Sequence, residues 1–317
     1  MKLGKFYEEI VKAGIDNDPR GKASIAKILE NKKKEYDGLK EGKEFFDMDS
    51  LSNPFSDTRI LYGDRNKDIK RVFVGIDVAG EELLLVDRLN EKKNKKIDLA
   101  ISHHPAGKAL ASLYEVMIVQ ADILASVGVP IALAESLMQE RIKEVERRFM
   151  PVNHMRAVDT ARLLDIPYLC MHTAADNCAS TFLQNLIDKK KPQDLKEIVA
   201  ILNQLPEYQY ASSNRCPPKI IIGSPKSKAG KVLVDMTGGT EGSKEVFSKL
   251  SLGGVSTLVC MHLSEEHFNN ATKERVNVVI AGHISSDTLG MNIVLDRLES
   301  KEKIDIISGG GFKRFKR

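Results

Sequence analysis

The sequence predicts an α/β protein made of two related α/β lobes with mixed sheets and flanking helices. Three observations lead there. Short apolar runs such as Leu99-Ala100-Ile101 have the length and composition of strands buried on both faces. Between such runs lie segments whose apolar residues recur at helical spacing, among them Leu110, Leu113, Met117, Ala121 and Leu124. The order strand, helix, strand ending in histidine also occurs twice. Val72 to Asp77 with the strand ending at His103-His104 parallels Val232 to Met236 with the strand ending at Met261-His262, and Pro167 to His172-x-x-x-Asp176 parallels Val276 to His283-x-x-x-Asp287.

Taken in order, residues 1–57 read as a helical N-terminal extension. Phe6, Ile10 and Val11 share one helical face, Ile25, Ile28 and Leu29 another, with a break at Asp18-Pro19 and a turn at Asn53-Pro54. The first α/β lobe spans 58–190. It opens with a short strand from Arg59 to Tyr62, followed by strand Arg71 to Asp77, helix Glu81 to Asn94 and strand Asp98 to Ser102, a βαβ unit. A single long helix is expected from Lys108 to Val127, then helices from Glu135 to Phe149 and Val152 to Leu164, strand Pro167 to Met171, and a helix near Cys178 to Ile187.

The second lobe, 191–317, begins with a helix from Leu195 to Leu205. Strands Lys219 to Ile222 and Lys231 to Asp235 follow, joined by Gly223 to Gly230 as a hairpin-like loop. Helix Lys244 to Leu250, strands Thr257 to Met261 and Val276 to Ala281, helix Leu289 to Leu298 and strand Ile304 to Ile307 complete it. Lys313 to Arg317, after three glycines, reads as a detached basic tail.

Composition excludes several functions. A chain of 317 residues with 42% hydrophobic content can bury a large core. Its net charge of +4 is scattered, and with aromatics at 6% and no Trp it lacks the basic, aromatic-laced stripe of a nucleic-acid binder. No uncharged apolar stretch approaches the roughly 18 residues of a spanning helix, so no membrane partner is expected. The charged start at Lys2, Lys5, Glu8 and Glu9 predicts no secretion signal, and Cys170, Cys178, Cys216 and Cys260 lack C-x-x-C spacing, so the expected location is cytoplasmic with reduced thiols.

The chemistry concentrates at strand ends. Five of seven histidines, His103, His104, His172, His262 and His283, terminate an apolar run, where parallel sheets carry their ligand sites. Pro105 and Gly107 end the strand at His103-His104, which lets two adjacent imidazoles serve one site. In H-x-x-x-D the two side chains share a helix face and can converge on one ion. Imidazole with carboxylate suits first-row ions such as Zn, Mn, Fe, Co or Ni, and bridging carboxylates suit a pair. Gly223 to Gly230 fails as a P-loop on spacing, whereas the Gly238-Gly239 loop, after a strand, suits either an anion or a tight packing turn.

Tyr62-Gly63-Asp64 through Val74-Gly75-Ile76-Asp77, Ile101 to Pro105, His172-Thr173-Ala174-Ala175-Asp176, Gly238-Gly239 and Ala281-Gly282-His283-x-x-x-Asp287 together resemble the Nif-three-like family, also labelled GTP cyclohydrolase type two-like. The resemblance covers roughly residues 58–300. It implies a metal site between the lobes, with His103, His104, Asp176, His283 and Asp287 as ligands of two divalent first-row ions, and a ring-shaped homo-oligomer, commonly a hexamer. Asp287 stands where the family usually has Glu, Ala174-Ala175 where it tends to have Asn-Leu, and the segment 135–165 lengthens the interval before His172. His262 falls outside the motif set. The expected function is a dinuclear metal-dependent hydrolase in which the ions activate water and an unligated His172 moves protons. Its small-molecule substrate is expected to be a purine nucleotide or another phosphorylated compound, bound in part by Gly238 and Gly239. A metal-binding regulatory or scaffold protein without turnover is the alternative.

Overall fold

A computed structural model of the protein describes residues 1–92 and 96–317. Its amino-terminal helices, α1 (Leu3–Asp16) and α2 (Gly21–Gly38), are separated at Asp18-Pro19, as the sequence requires. Two 3₁₀ turns, Lys43–Phe45 and Met48–Leu51, lead to β1 (Thr58–Tyr62), β2 (Arg71–Gly75), α3 (Gly80–Lys92) and β3 (Leu99–Ser102). The expected end of the third helix, Asn94, lies outside the described residues. Then come α4 (Gly107–Ala111), a 3₁₀ turn (Leu113–Ile118), α5 (Val119–Ser126), α6 (Ile131–Phe149), α7 (Arg156–Leu163), β4 (Tyr168–Met171) and α8 (Thr173–Lys190). The remainder is α9 (Leu195–Leu202), α10 (Pro206–Ser213), β5 (Lys219–Ile222), β6 (Lys231–Asp235), α11 (Val246–Leu252), β7 (Val255–Cys260), α12 (Glu265–Lys273), β8 (Asn277–Ile280), α13 (His283–Glu299) and β9 (Asp305–Ser308). None of the described helices is long and apolar enough to cross a membrane.

The strands form two mixed sheets of matching design. One has the order β1-β4-β3-β2-β9, the other β5-β8-β7-β6, and in each the first strand runs antiparallel to its neighbour while the rest are parallel. The repeat seen at strand ends is therefore a repeat of topology. Helices α8 and α13 lie between the sheets and are apolar on two sides. Ala174, Ala175 and Cys178 of α8 join Met291, Val294 and Leu295 of α13 in the core of the first sheet, while Ala179, Leu183 and Leu289 enter that of the second. The two helices touch at Gly290, where a Cβ would stand 2.3 Å from the Ala175 carbonyl oxygen. Outer layers complete the molecule, α3 and α7 over the first sheet and α5, α6 and α11 over the second.

Several expectations need correction. The helix expected over Lys108 to Val127 is broken, because the Ser56 hydroxyl donates to the Ser112 carbonyl at 2.7 Å and the chain tightens into a 3₁₀ turn. Strands β5 and β6 do not form a hairpin. They occupy opposite edges of their sheet, since β6 pairs in parallel with β7 and β5 takes the far side of β8. Helix α8 begins five residues before Cys178, and α10 was not foreseen. The two halves also exchange segments. Strand β9 returns to the first sheet beside β2, and α5 and α6 cover the second.

The basic tail is docked. Arg314 donates to Asn292 Oδ1 at 3.1 Å and reaches the Asp296 and Glu299 carboxylates, while Arg317 holds the fully buried Glu207 carboxylate at 2.7 and 2.8 Å. Removing one partner of a buried ion pair strands the other charge. Truncation after Phe312 is expected to cost about 3 kcal/mol of stability, read as a lowered calorimetric midpoint. An unchanged midpoint would return the tail to the detached role its glycines suggested.

Candidate metal centre

The first sheet delivers two adjacent imidazoles because its backbone turns at the end of β3. The His103 N–H donates to the Gly75 and Ile76 carbonyls and the His104 N–H to Ile76. This ends the strand alternation, and both rings face one point. His103 is buried, and its Nδ1 lies 3.1 Å from the Met171 carbonyl, which can only accept. Nδ1 therefore carries the proton and Nε2 presents its lone pair. His104 is held in the same sense by Asp77, whose Oδ1 lies 2.7 Å from Nδ1, and His172 by Asp57, whose Oδ2 lies 2.8 Å from Nδ1. An imidazole anchored at one nitrogen and free at the other is the usual state of a metal-ligating histidine.

The carboxylates come from the central helices. Both α8 and α13 start at a strand end, so Asp176 lies one turn from His172 and Asp287 one turn from His283. Their crossing brings the two acids together around His103. His103 Nε2 is 3.3 Å from Asp176 Oδ1 and 3.5 Å from Asp287 Oδ1. Asp287 Oδ2 lies 3.5 Å from Nε2 of both His104 and His283, which are themselves 3.4 Å apart. All five residues expected as ligands thus meet. Asp287 turns Oδ1 toward His103 and Oδ2 toward His104 and His283.

These acids have no other use for their oxygens. Asp176 Oδ1 and both Asp287 oxygens are buried without a hydrogen-bond partner among the described residues. A buried carboxylate left so is costly unless a cation completes it. Nitrogen and carboxylate donors at this spacing fit divalent first-row ions. Candidate ligand groups are His103, His172 and Asp176 on one side and His103, His104 and Asp287 on the other.

Burial and charge divide the cluster. Burial drives the His103 imidazole down to about 3, so it is neutral, and lifts the Asp176 carboxyl to about 6. For His172 burial works against the charged form, yet the Asp176 and Asp57 carboxylates outweigh it and raise the imidazole to about 9. Asp57 is held low despite its burial by His172 and by the Thr173 hydroxyl at 2.6 Å.

Of the remaining expected residues, Gly239 lines a cavity that continues from the centre, but the Gly238 turn is closed by Gln120. Gln120 Nε2 donates to the Gly238 and Thr240 carbonyls at 2.7 Å, and a Cβ on Gly238 would lie 2.6 Å from its Cγ. At Gly238 the tight packing turn is the better description. His262 sits beside the cluster, ring centroid 5.0 Å from that of His283, with Nδ1 3.2 Å from Glu241 Oε1, and belongs to neither ligand group. Asp57 and Asp77 are not among the expected site residues: Asp77 ends one of the resembling segments but carries no role there, and nothing in spacing ties Asp57 to His172.

No family model matches the sequence. No curated protein matches it either. Among solved structures, a NIF3 superfamily protein from Sphaerobacter thermophilus is 26% identical, with a TM-score of 0.71 over 81% of this chain and 92% of that one. Reduced HcgD from Methanocaldococcus jannaschii shares the fold at 16% identity, with a TM-score of 0.52 over 84% of this chain and 93% of its own. The paired sheets and the His/Asp cluster agree with the first of these likenesses, and the chain resembles the NIF3 superfamily in its two-lobe fold.

Proposed function

We propose that the protein is a metal-dependent hydrolase of a small phosphorylated substrate, a purine nucleotide among the candidates, working at a dinuclear centre of His103, His104, Asp176, His283 and Asp287. The reading rests on the three buried, unpartnered carboxylate oxygens turned toward imidazoles. Two divalent ions, when bound, would supply Lewis acidity and bring the pKa of water toward neutrality. The chain supplies the orientation. Asp57 fixes the His172 ring so that Nε2 points toward Asp176, 3.9 Å away, where it can hold or release a proton. Asp77 orients His104 in the same manner.

A regulatory metal-binding protein without turnover is favoured by one observation, that His172 falls in a ligand group with His103 and Asp176. As a sixth ligand it would fill a position that catalysis keeps open. We also infer self-association, since the packed helices α3 and α7 expose Leu84, Leu85 and Leu163, and a reducing cytoplasmic setting, which suits four free cysteines.

Elemental analysis of metal-loaded protein is expected to find about two first-row ions per chain, and none would end the reading. Substituting His103, Asp176 or His283 by Ala should lower metal content in a protein that stays folded, whereas His262→Ala should keep it. His172→Ala separates the two functions, because it keeps metal and loses hydrolysis if the residue carries protons but loses metal if it is a ligand. Asp77→Asn, which removes the support of His104, should reduce metal affinity about 10- to 100-fold, the usual cost of losing a ligand's supporting partner. Light scattering should return a multiple of the 35.2 kDa chain mass, and a monomer would refute self-association.

A further inference from the structure

The cavity beside the centre holds a carboxylate that the hydrolytic machinery does not use. Strand β6 reads Lys-Val-Leu-Val-Asp, and alternation sends Val232 and Val234 to the central helices but Leu233 and Asp235 to the opposite face. That face belongs to the core under α5, α6 and α11. Asp235 thus emerges among Leu233, Leu258, Phe247, Leu250, Ile123 and Leu124, all of which line a cavity of about 110 Å³. The same cavity reaches His172, Asp176, His283 and Asp287.

Asp235 has no hydrogen bond or ion pair with any described residue. Burial lifts its carboxyl to about 6, against the pull of the His262 imidazole. Asp235 is half-buried, and with no side-chain partner its carboxylate is left to the cavity and to whatever fills it. The repeat sharpens the point. Asp235, opposite Cys260 in the pairing of β6 with β7, corresponds to Gly75, opposite Ser102 in the pairing of β2 with β3. At Gly75 a Cβ would meet the Asp77 carbonyl oxygen and Val78 Cγ2 at 2.9 Å and the Gly309 carbonyl at 3.3 Å. Around the first sheet this space is filled by the Asp77 and Gly309 backbone and the Val78 side chain. The second leaves it open and points an acid into it.

We propose that Asp235 is a specificity-determining residue that accepts hydrogen bonds from an amidine-like or cationic N–H group on the substrate, whose ring-sized apolar body occupies the cavity. Volume limits the buried body to about one ring, since an engineered apolar cavity of ~150 Å³ holds benzene and this one measures about 110 Å³. Chemistry sets the polar edge, because a carboxylate takes two parallel N–H donors with added strength when they are charged. On the side walled by these six apolar residues Asp235 is the acid free to orient a ligand, since Glu241 elsewhere on the wall is engaged by His262 and Ser264. The inference rests on the proposed hydrolytic centre for what happens at the other end of the substrate, but the binding itself does not require turnover.

Benzamidine, a single ring with an amidinium, is the probe, titrated calorimetrically into the full chain both metal-loaded and chelator-treated, with benzyl alcohol as the ring lacking N–H donors. Benzamidine should bind, benzyl alcohol at least tenfold more weakly, and Asp235→Asn should lower benzamidine affinity at least tenfold without changing metal content. Leu258→Phe, which keeps the acid and fills the ring space, should also abolish binding. Failure of benzamidine to bind wild-type protein, equal binding of benzyl alcohol, or undiminished affinity in either variant overturns the proposal. Metal content is read on the same samples. A protein that binds benzamidine but no metal sinks the hydrolytic reading alone, and one that binds metal but not benzamidine sinks only the role of Asp235.

Discussion

The contact of α13 with α8 governs the rest of the structure. Gly290 lets the two helices approach until the position of a Cβ would overlap the Ala175 carbonyl, and this crossing lies one turn from Asp287 and next to Asp176. Both acids are carried on rigid, doubly buried helices. Such helices cannot shift to give their carboxylates other partners, so the unsatisfied oxygens persist because packing over-determines them. The scaffold thereby concentrates negative charge against four imidazoles in a setting where charge is worth more than in water.

Much of this was legible in the sequence because two periodicities and a repeat agree. Apolar runs ending in histidine gave β3, β4, β7 and β8, whereas the first turns of α8 and α13, which carry H-x-x-x-D, precede the helices expected near Cys178 and at Leu289. What escaped was set by contacts distant in sequence. Whether β5 and β6 pair with each other or stand at opposite edges depends on β7 and β8, not on the loop between them. The 3₁₀ turn after Ser112 depends on the Ser56 hydroxyl, and the docked tail on Glu207 and Asn292, residues with no local mark. At the site, ligand candidates carried a pattern and their supports did not. Asp57 bonds His172 across 115 positions and precedes the strand that the sequence assigned to the lobe.

The two halves show how a repeat is divided between tasks. His104 and His262 stand at matching places, two residues beyond the last strand pair, and each has its Nδ1 on a carboxylate, Asp77 in one half and Glu241 in the other. Glu241, although burial opposes it, is held at about 2 by His262, His267 and Ser264. One copy joins the candidate ligands, while the other forms part of the cavity wall.

The exchange of segments has a mechanical consequence. Strand β9 leaves the second half to complete the first sheet, and α5 and α6 leave the first to roof the second. Any cut between residues 127 and 304 would part a sheet from a piece it needs, so the halves are no longer modules that can be separated or hinged about a seam. The way into the cavity then lies past side chains of its wall, among them the half-exposed His262 ring and Thr240.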